Sequence, residues 1–113
     1  MKILIINGAN LNLLGQRQPE IYGSESFEDI LGALRNRYSE HTLDYYQSNI
    51  EGEIVDELQR ADGRYDGVVL NAGGYTHTSV VIRDAIASIR VPVVVVHHRR
   101  GNLGCSITPR KLV

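Results

Sequence analysis

Cysteine is nearly absent: Cys105 stands alone among 113 residues, which rules out an internal disulfide and fits a reducing compartment. Long apolar runs are missing as well. The longest, residues 91–96, contains Pro92 and is far too short to cross a bilayer. The apolar start at residues 3–6 is interrupted by Asn7 and Gly8, so it does not read as a signal peptide, and the cytoplasm is the expected location. Charge of one sign is lacking too. Twelve Lys and Arg against 13 Asp and Glu leave a net charge of -1, with no pull toward nucleic acid or an anionic membrane. The glycines form neither a Walker loop nor a dinucleotide fingerprint. No repeat or low-complexity tract occurs.

What is present suits one soluble domain with one core: 42% hydrophobic and 22% charged residues in a chain of this length. Its organising stretch is Val68-Val69-Leu70-Asn71-Ala72-Gly73-Gly74-Tyr75-Thr76-His77-Thr78-Ser79. This reads as a buried strand, then a glycine turn, then a helix start capped by Thr78 or Ser79. Val81, Ile82, Ala85, Ile86 and Ile89 follow at helical spacing. Asn71, Thr76 and His77 therefore fall at the carboxyl end of a strand, where open α/β sheets bind ligands.

Taken in order, residues 2–6 read as a first strand, followed by a loop over 7–23 that is long enough to bind or close over something. Ser24 or Ser26 opens a helix with Phe27, Ile30, Leu31, Leu34 and Tyr38 as its buried stripe. A strand over 43–47 precedes a helix over 50–61 with Ile54, Leu58 and Ala61 inward. Strands over 67–70 and 92–96 flank a helix over 79–89. The βαβαβαβ pattern predicts a parallel, doubly wound sheet. Residues 98–113 turn basic and irregular, with no acid after Asp84 and no apolar stripe. A solvated tail is preferred there over a nucleic-acid arm.

Three loops leave carboxyl ends of parallel strands and should meet in one crevice, gathering Asn10, Asn12, Arg17, Tyr22, Asn71, His77 and His97. This set holds a phenol, imidazoles, a guanidinium and amides, but no carboxylate pair and no serine with a base. It favours acid–base chemistry on a polar organic substrate over acyl transfer or glycoside hydrolysis. Tyr22 serves as a base only if its phenolate is stabilised, and a cation such as Arg17 shifts the pKa in the required direction. Each residue also has a plain structural reading: Tyr22 capping the loop, His77 starting a helix, His97 ending an apolar strand, Arg17 simply solvated. A metal at His77, His97 and His98 is disfavoured, because adjacent strand residues point oppositely.

At these residues the sequence resembles the type II 3-dehydroquinate dehydratases. The match runs through Ile6-Asn7-Gly8-Ala9-Asn10-Leu11-Asn12-Leu13-Leu14-Gly15, Arg17 and Pro19-Glu20-Ile21-Tyr22-Gly23. It continues in Gln47-Ser48-Asn49 with Glu51-Gly52, Leu70-Asn71-Ala72-Gly73-Gly74, Thr76-His77-Thr78-Ser79, Arg83-Asp84-Ala85 and Val96-His97. The resemblance implies a flavodoxin-like three-layer αβα sandwich and a homododecamer built from trimers. It also implies cofactor-free, metal-free dehydration of 3-dehydroquinate to 3-dehydroshikimate in the shikimate pathway of aromatic amino acid biosynthesis. By position it makes Tyr22 the base, Arg17 the lid residue that keeps Tyr22 ionised, and His97 the acid. Asn10 would orient a water that stabilises the enolate. Asn71 and His77 would bind substrate, Asp84 would reach a neighbouring subunit's site, and the backbone at His98 and Arg99 would bind the substrate carboxylate.

The resemblance covers residues 1–97, the expected catalytic domain, and stops before a divergent basic tail at 98–113. Val95 stands where the family usually has a glutamate that orients the histidine, and His98 and Arg99 replace an Ile-Ser pair. The family's arginine-bearing segment, last strand and last helix have no counterpart, as if the chain were truncated or altered after His97. An edge strand left unpaired and a sheet face left uncovered are expected. The expected function is this dehydration, with impaired catalysis. The alternative is a non-catalytic flavodoxin-like module that binds or oligomerises.

Overall fold

The computed structural model describes residues 1–13, 25–76, 78–98 and 105–109, of which 97–98 and 105–109 are described for their backbone. Five strands form one sheet in the order β2-β1-β3-β4-β5: β1 (Lys2–Ala9), β2 (Thr42–Gln47), β3 (Gly67–Gly73), β4 (Val93–His98) and β5 (Cys105–Pro109). The first four are parallel, as the βαβ pattern requires. Three helices make the crossovers: α1 (Phe27–Arg37), α2 (Glu51–Ala61) and α3 (Val80–Ser88).

Local chemistry explains the helix starts. Ser26 accepts from the Asp29 N–H while the Asp29 carboxylate accepts from the Ser26 N–H, a reciprocal capping box. Ser79, not Thr78, caps α3 by accepting from the Ile82 N–H at 3.0 Å. No side chain caps α2, yet Glu51 and Glu53 in its first turn complement the helix dipole.

Strand alternation divides the residues between two sheet faces. Leu4, Ile6, Val68, Leu70, Ala72, Val93 and Val95 meet Ile54, Leu58 and Ala61 of α2 and Ile82, Ala85 and Ile86 of α3 in a single core. Val81, expected inward, is 54% exposed, because the four positions at 82, 85, 86 and 89 already fill the side of α3 that meets the sheet. The other face carries α1, whose Phe27 stacks on Tyr45 with ring centroids 4.8 Å apart. Of the stripe expected on α1 only Leu31 is fully buried, and Tyr38 is 40% exposed. Among the described residues no helix covers this face at β3 and β4, where Val69, Val94 and Val96 are half-buried.

The tail corrects one expectation. Residues 105–109, read from the sequence as part of an irregular tail, form β5 and pair antiparallel with β4 from Val94–Pro109 to His98–Cys105. The β4 edge is therefore not left unpaired. Its backbone donors and acceptors supply the partner that a five-residue segment without an apolar pattern cannot specify by itself.

At the amino ends of the strands, Tyr65 donates to Asp44 Oδ2 at 2.6 Å, and Lys2 Nζ lies 4.9 Å from the Tyr65 ring centre. The bond to the carboxylate, then desolvation and negative charge, push the Tyr65 phenol up to about 12. Its pKa is raised, so any stability from this bond is present below the ordinary tyrosine value near 10 and is lost as pH climbs through about 12. Absorbance titration at alkaline pH is expected to show a late-ionising tyrosine that moves toward the ordinary value in Asp44→Asn.

Candidate active site

The carboxyl ends of β1 and β3 are drawn together more closely than side chains allow. Ala9 pairs with Gly73 and Asn7 with Asn71. A Cβ on Gly8 would lie 2.3 Å from the Ala72 carbonyl oxygen, and one on Gly73 would lie 2.4 Å from that of Ala9. Gly73 also has a φ of +63°, a conformation that glycine adopts without strain. The two strands thus end backbone to backbone, and the loops that leave them start side by side.

Asn10 follows with φ 70°, a left-handed conformation that asparagine tolerates better than most residues. Its N–H donates to Asn49 Oδ1 at 2.9 Å, and its carbonyl accepts from the Leu13 N–H at 3.1 Å across the short 3-10 turn Leu11–Leu13. Across the gap, Asn71 Oδ1 accepts from the Gly73 N–H at 3.1 Å, and the turn continues with Thr76 donating to the Gly73 carbonyl at 2.8 Å. Tyr75 reaches over the end of β2 to donate to the Asn49 carbonyl at 2.8 Å. Gln47 donates to both the Gly8 carbonyl and Asn49 Oδ1, at 3.2 and 3.1 Å. A cleft of about 150 Å³ beside this network is lined by Asn12, Phe27, Tyr45 and Gln47 among others.

Asn10, Asn12 and Asn71 thus lie at one end of the sheet. β4 carries the backbone of His97 and His98 past its Leu70–Val95 pair toward that same end. Arg17, Tyr22, His77 and Arg99 lie outside the described residues, as do the side chains of His97 and His98. Asp84 is exposed on α3. Val95 is 6% exposed and packs in the core, so the position that holds the family's glutamate is filled here by an apolar side chain. Asn49 and Tyr75 stand in the sequence motifs but carry no site role that their residue types alone would reveal. The loop after β2 joins the crevice with the other three, since β2 is parallel to β1 and ends at the same side.

Three tyrosines can be set aside as bases. Burial pushes Tyr45 and Tyr46 up, and the Asp44 bond raises Tyr65, each away from the phenolate. A larger, open hollow of about 420 Å³ lies at the opposite end of the sheet, by Asp62, Tyr65 and Arg90. It offers little to a ligand: Asp62 Oδ1 is already engaged by the N–H groups of Arg90 and Val91, both at 3.0 Å. Among the described residues no three His, Cys, Asp or Glu side chains converge as a metal site.

Comparison with known proteins points the same way. The family model "Dehydroquinase class II" matches residues 1–101. The chain is 51% identical over 108 residues to a 3-dehydroquinate dehydratase of Synechococcus, covering 90% of this chain and 74% of that one. It is 50% identical over 99 residues to one of Nitratiruptor, covering 86% of this chain and 64% of that one. This chain therefore spans about two thirds of their length. The crystal structure of type II dehydroquinase from Butyrivibrio crossotus aligns with a TM-score of 0.76 at 43% identity, over 86% of this chain and 68% of that one. That from Propionibacterium acnes gives 0.76 at 28% identity, over 83% and 66%. With a matching family model over most of its residues and a shared fold, the chain belongs to the type II dehydroquinase family.

Proposed function

We propose that this protein is a 3-dehydroquinate dehydratase, a hydro-lyase that removes water from 3-dehydroquinate to give 3-dehydroshikimate in the cytoplasm. The observation that carries this reading is the abutment of Gly8–Ala9 on Ala72–Gly73, which brings the segments that carry Asn10 and Asn71 to the same end of the sheet in a chain of this family. On this reading residues 1–97 form the catalytic unit and 98–113 a basic tail, whose Cys105–Pro109 segment closes the sheet edge.

The chemistry divides among named residues. Tyr22, ionised under Arg17, takes a proton from the carbon beside the ketone. The electron pair moves onto the ketone oxygen as an enolate, which Asn10 stabilises through an oriented water. Collapse of the enolate expels the hydroxyl on the next carbon, and His97 protonates it so that water leaves. Asn71 and His77 hold substrate hydroxyls or its carboxylate, and backbone N–H groups at His98 and Arg99 also bind the carboxylate. Asp84, exposed on α3, serves a neighbouring copy's site. Val80 and Val81 on the same helix, 68% and 54% exposed, support a homo-oligomer, which light scattering on the purified chain would size.

Purified chain mixed with 3-dehydroquinate should develop the absorbance of the conjugated enone. Val95 in place of a glutamate favours a slower rate than in relatives that carry the acid. It also sustains the second reading, a non-catalytic module. Binding of 3-dehydroquinate with no absorbance change would select that module.

A further inference from the structure

The loop after β2 supplies a residue that neither the motif chemistry nor the proposed reaction uses. Asn49 is exposed, yet it is tied to the segments that follow both β1 and β3. Its Oδ1 accepts the Asn10 N–H at 2.9 Å and the Gln47 side-chain N–H at 3.1 Å. Its own carbonyl accepts the Tyr75 hydroxyl at 2.8 Å, which ties it to the glycine turn after β3. Asn10 sits at φ 70°, a region that costs a non-glycine residue on the order of 1 kcal/mol and persists only when its surroundings enforce it. Two groups do so: the 3-10 turn holds the Asn10 carbonyl, and Asn49 holds the N–H.

We propose that Asn49 is a positioning residue for the reaction: its side-chain oxygen fixes Asn10 in the left-handed conformation that presents its amide to the enolate-stabilising water. This rests on the dehydratase reading. Both bonds into the Asn49 side chain end on one acceptor oxygen, so the role asks for an acceptor of this length and nothing more. Aspartate meets that requirement and alanine does not.

The test compares the parent chain with Asn49→Ala and Asn49→Asp by steady-state kinetics on 3-dehydroquinate and by hydrogen exchange at the Asn10 amide. Asn49→Ala should lower kcat by about 10- to 100-fold, with a much smaller change in KM, since misplacing a catalytic group by an ångström costs up to about 10²-fold. Its Asn10 amide should exchange about 10-fold faster than the parent's, roughly the loss of one hydrogen bond. Asn49→Asp should recover most of both. An Asn10 amide as protected in Asn49→Ala as in the parent overturns the proposal. Equal loss of kcat in both variants overturns it too, as does failure of Asn49→Ala to fold. A parent chain without turnover sinks the dehydratase reading instead, and amide protection then decides alone whether Asn49 holds Asn10.

Discussion

Gly8→Ala is expected to lower the unfolding free energy by about 3 kcal/mol or more, the upper end of what overpacking costs. The added methyl would sit 2.3, 2.6 and 2.9 Å from the carbonyl oxygen, carbonyl carbon and Cα of Ala72. All three are backbone atoms of the neighbouring strand, so no side chain can rotate away. β1 and β3 are central in the sheet, and their separation would tear the pairing that runs from Ile3–Gly67 to Ala9–Gly73. Thermal unfolding should register a drop of more than about 10 °C, at some 4 °C or more per kcal/mol for a domain of this size. Gly32→Ala supplies the opposite sign: it lies within α1 with nothing within 4 Å of the added Cβ, and should gain about 1 kcal/mol from helix propensity. Equal melting temperatures for the two variants would mean that the strands are not held this close in solution.

Much of this arrangement was legible in the residues. The strands announced themselves through apolar runs at positions such as Ile3 to Ile6 and Val68 to Leu70, because strands inside a parallel sheet carry few polar side chains. The α2 and α3 stripes were readable because both helices pack on the same filled core. α1 was less readable. It covers the sheet near β2 through Phe27 on Tyr45, so Ile30 and Leu34 stay only half-buried despite their helical spacing. β5 could not be read at all, since Cys-Ser-Ile-Thr-Pro owes its strand to the free edge of β4 and not to any periodicity of its own. The network at the crevice was hidden for a similar reason. Asn49 acts by meeting Asn10, 39 residues away, and Tyr75, 26 residues away, and only the sheet order puts those three together.

The largest effect on turnover belongs to Tyr22→Phe, which should reduce kcat by about 10²- to 10⁴-fold, the usual contribution of a positioned acid or base. Loss of one hydroxyl keeps the aromatic ring, so the melting temperature should change little and KM much less than kcat. The base is placed at Tyr22 by the resemblance to the family; burial raises Tyr45 and Tyr46, and the Asp44 bond raises Tyr65 to about 12, which leaves these three poor phenolates near neutral pH. Arg17→Ala tests the other half of the assignment. Without the guanidinium the Tyr22 pKa should return toward the ordinary value near 10, so the active phenolate becomes scarce at pH 7. The limb of its pH–rate profile that reports the phenol should then move toward that value, while Tyr22→Phe should lack that limb, because it has no phenol to ionise. Turnover by Tyr22→Phe at the parent rate would assign the proton abstraction to another group. An Arg17→Ala profile parallel to the parent's would detach the arginine from the ionisation of the tyrosine and leave it a substrate-binding role only.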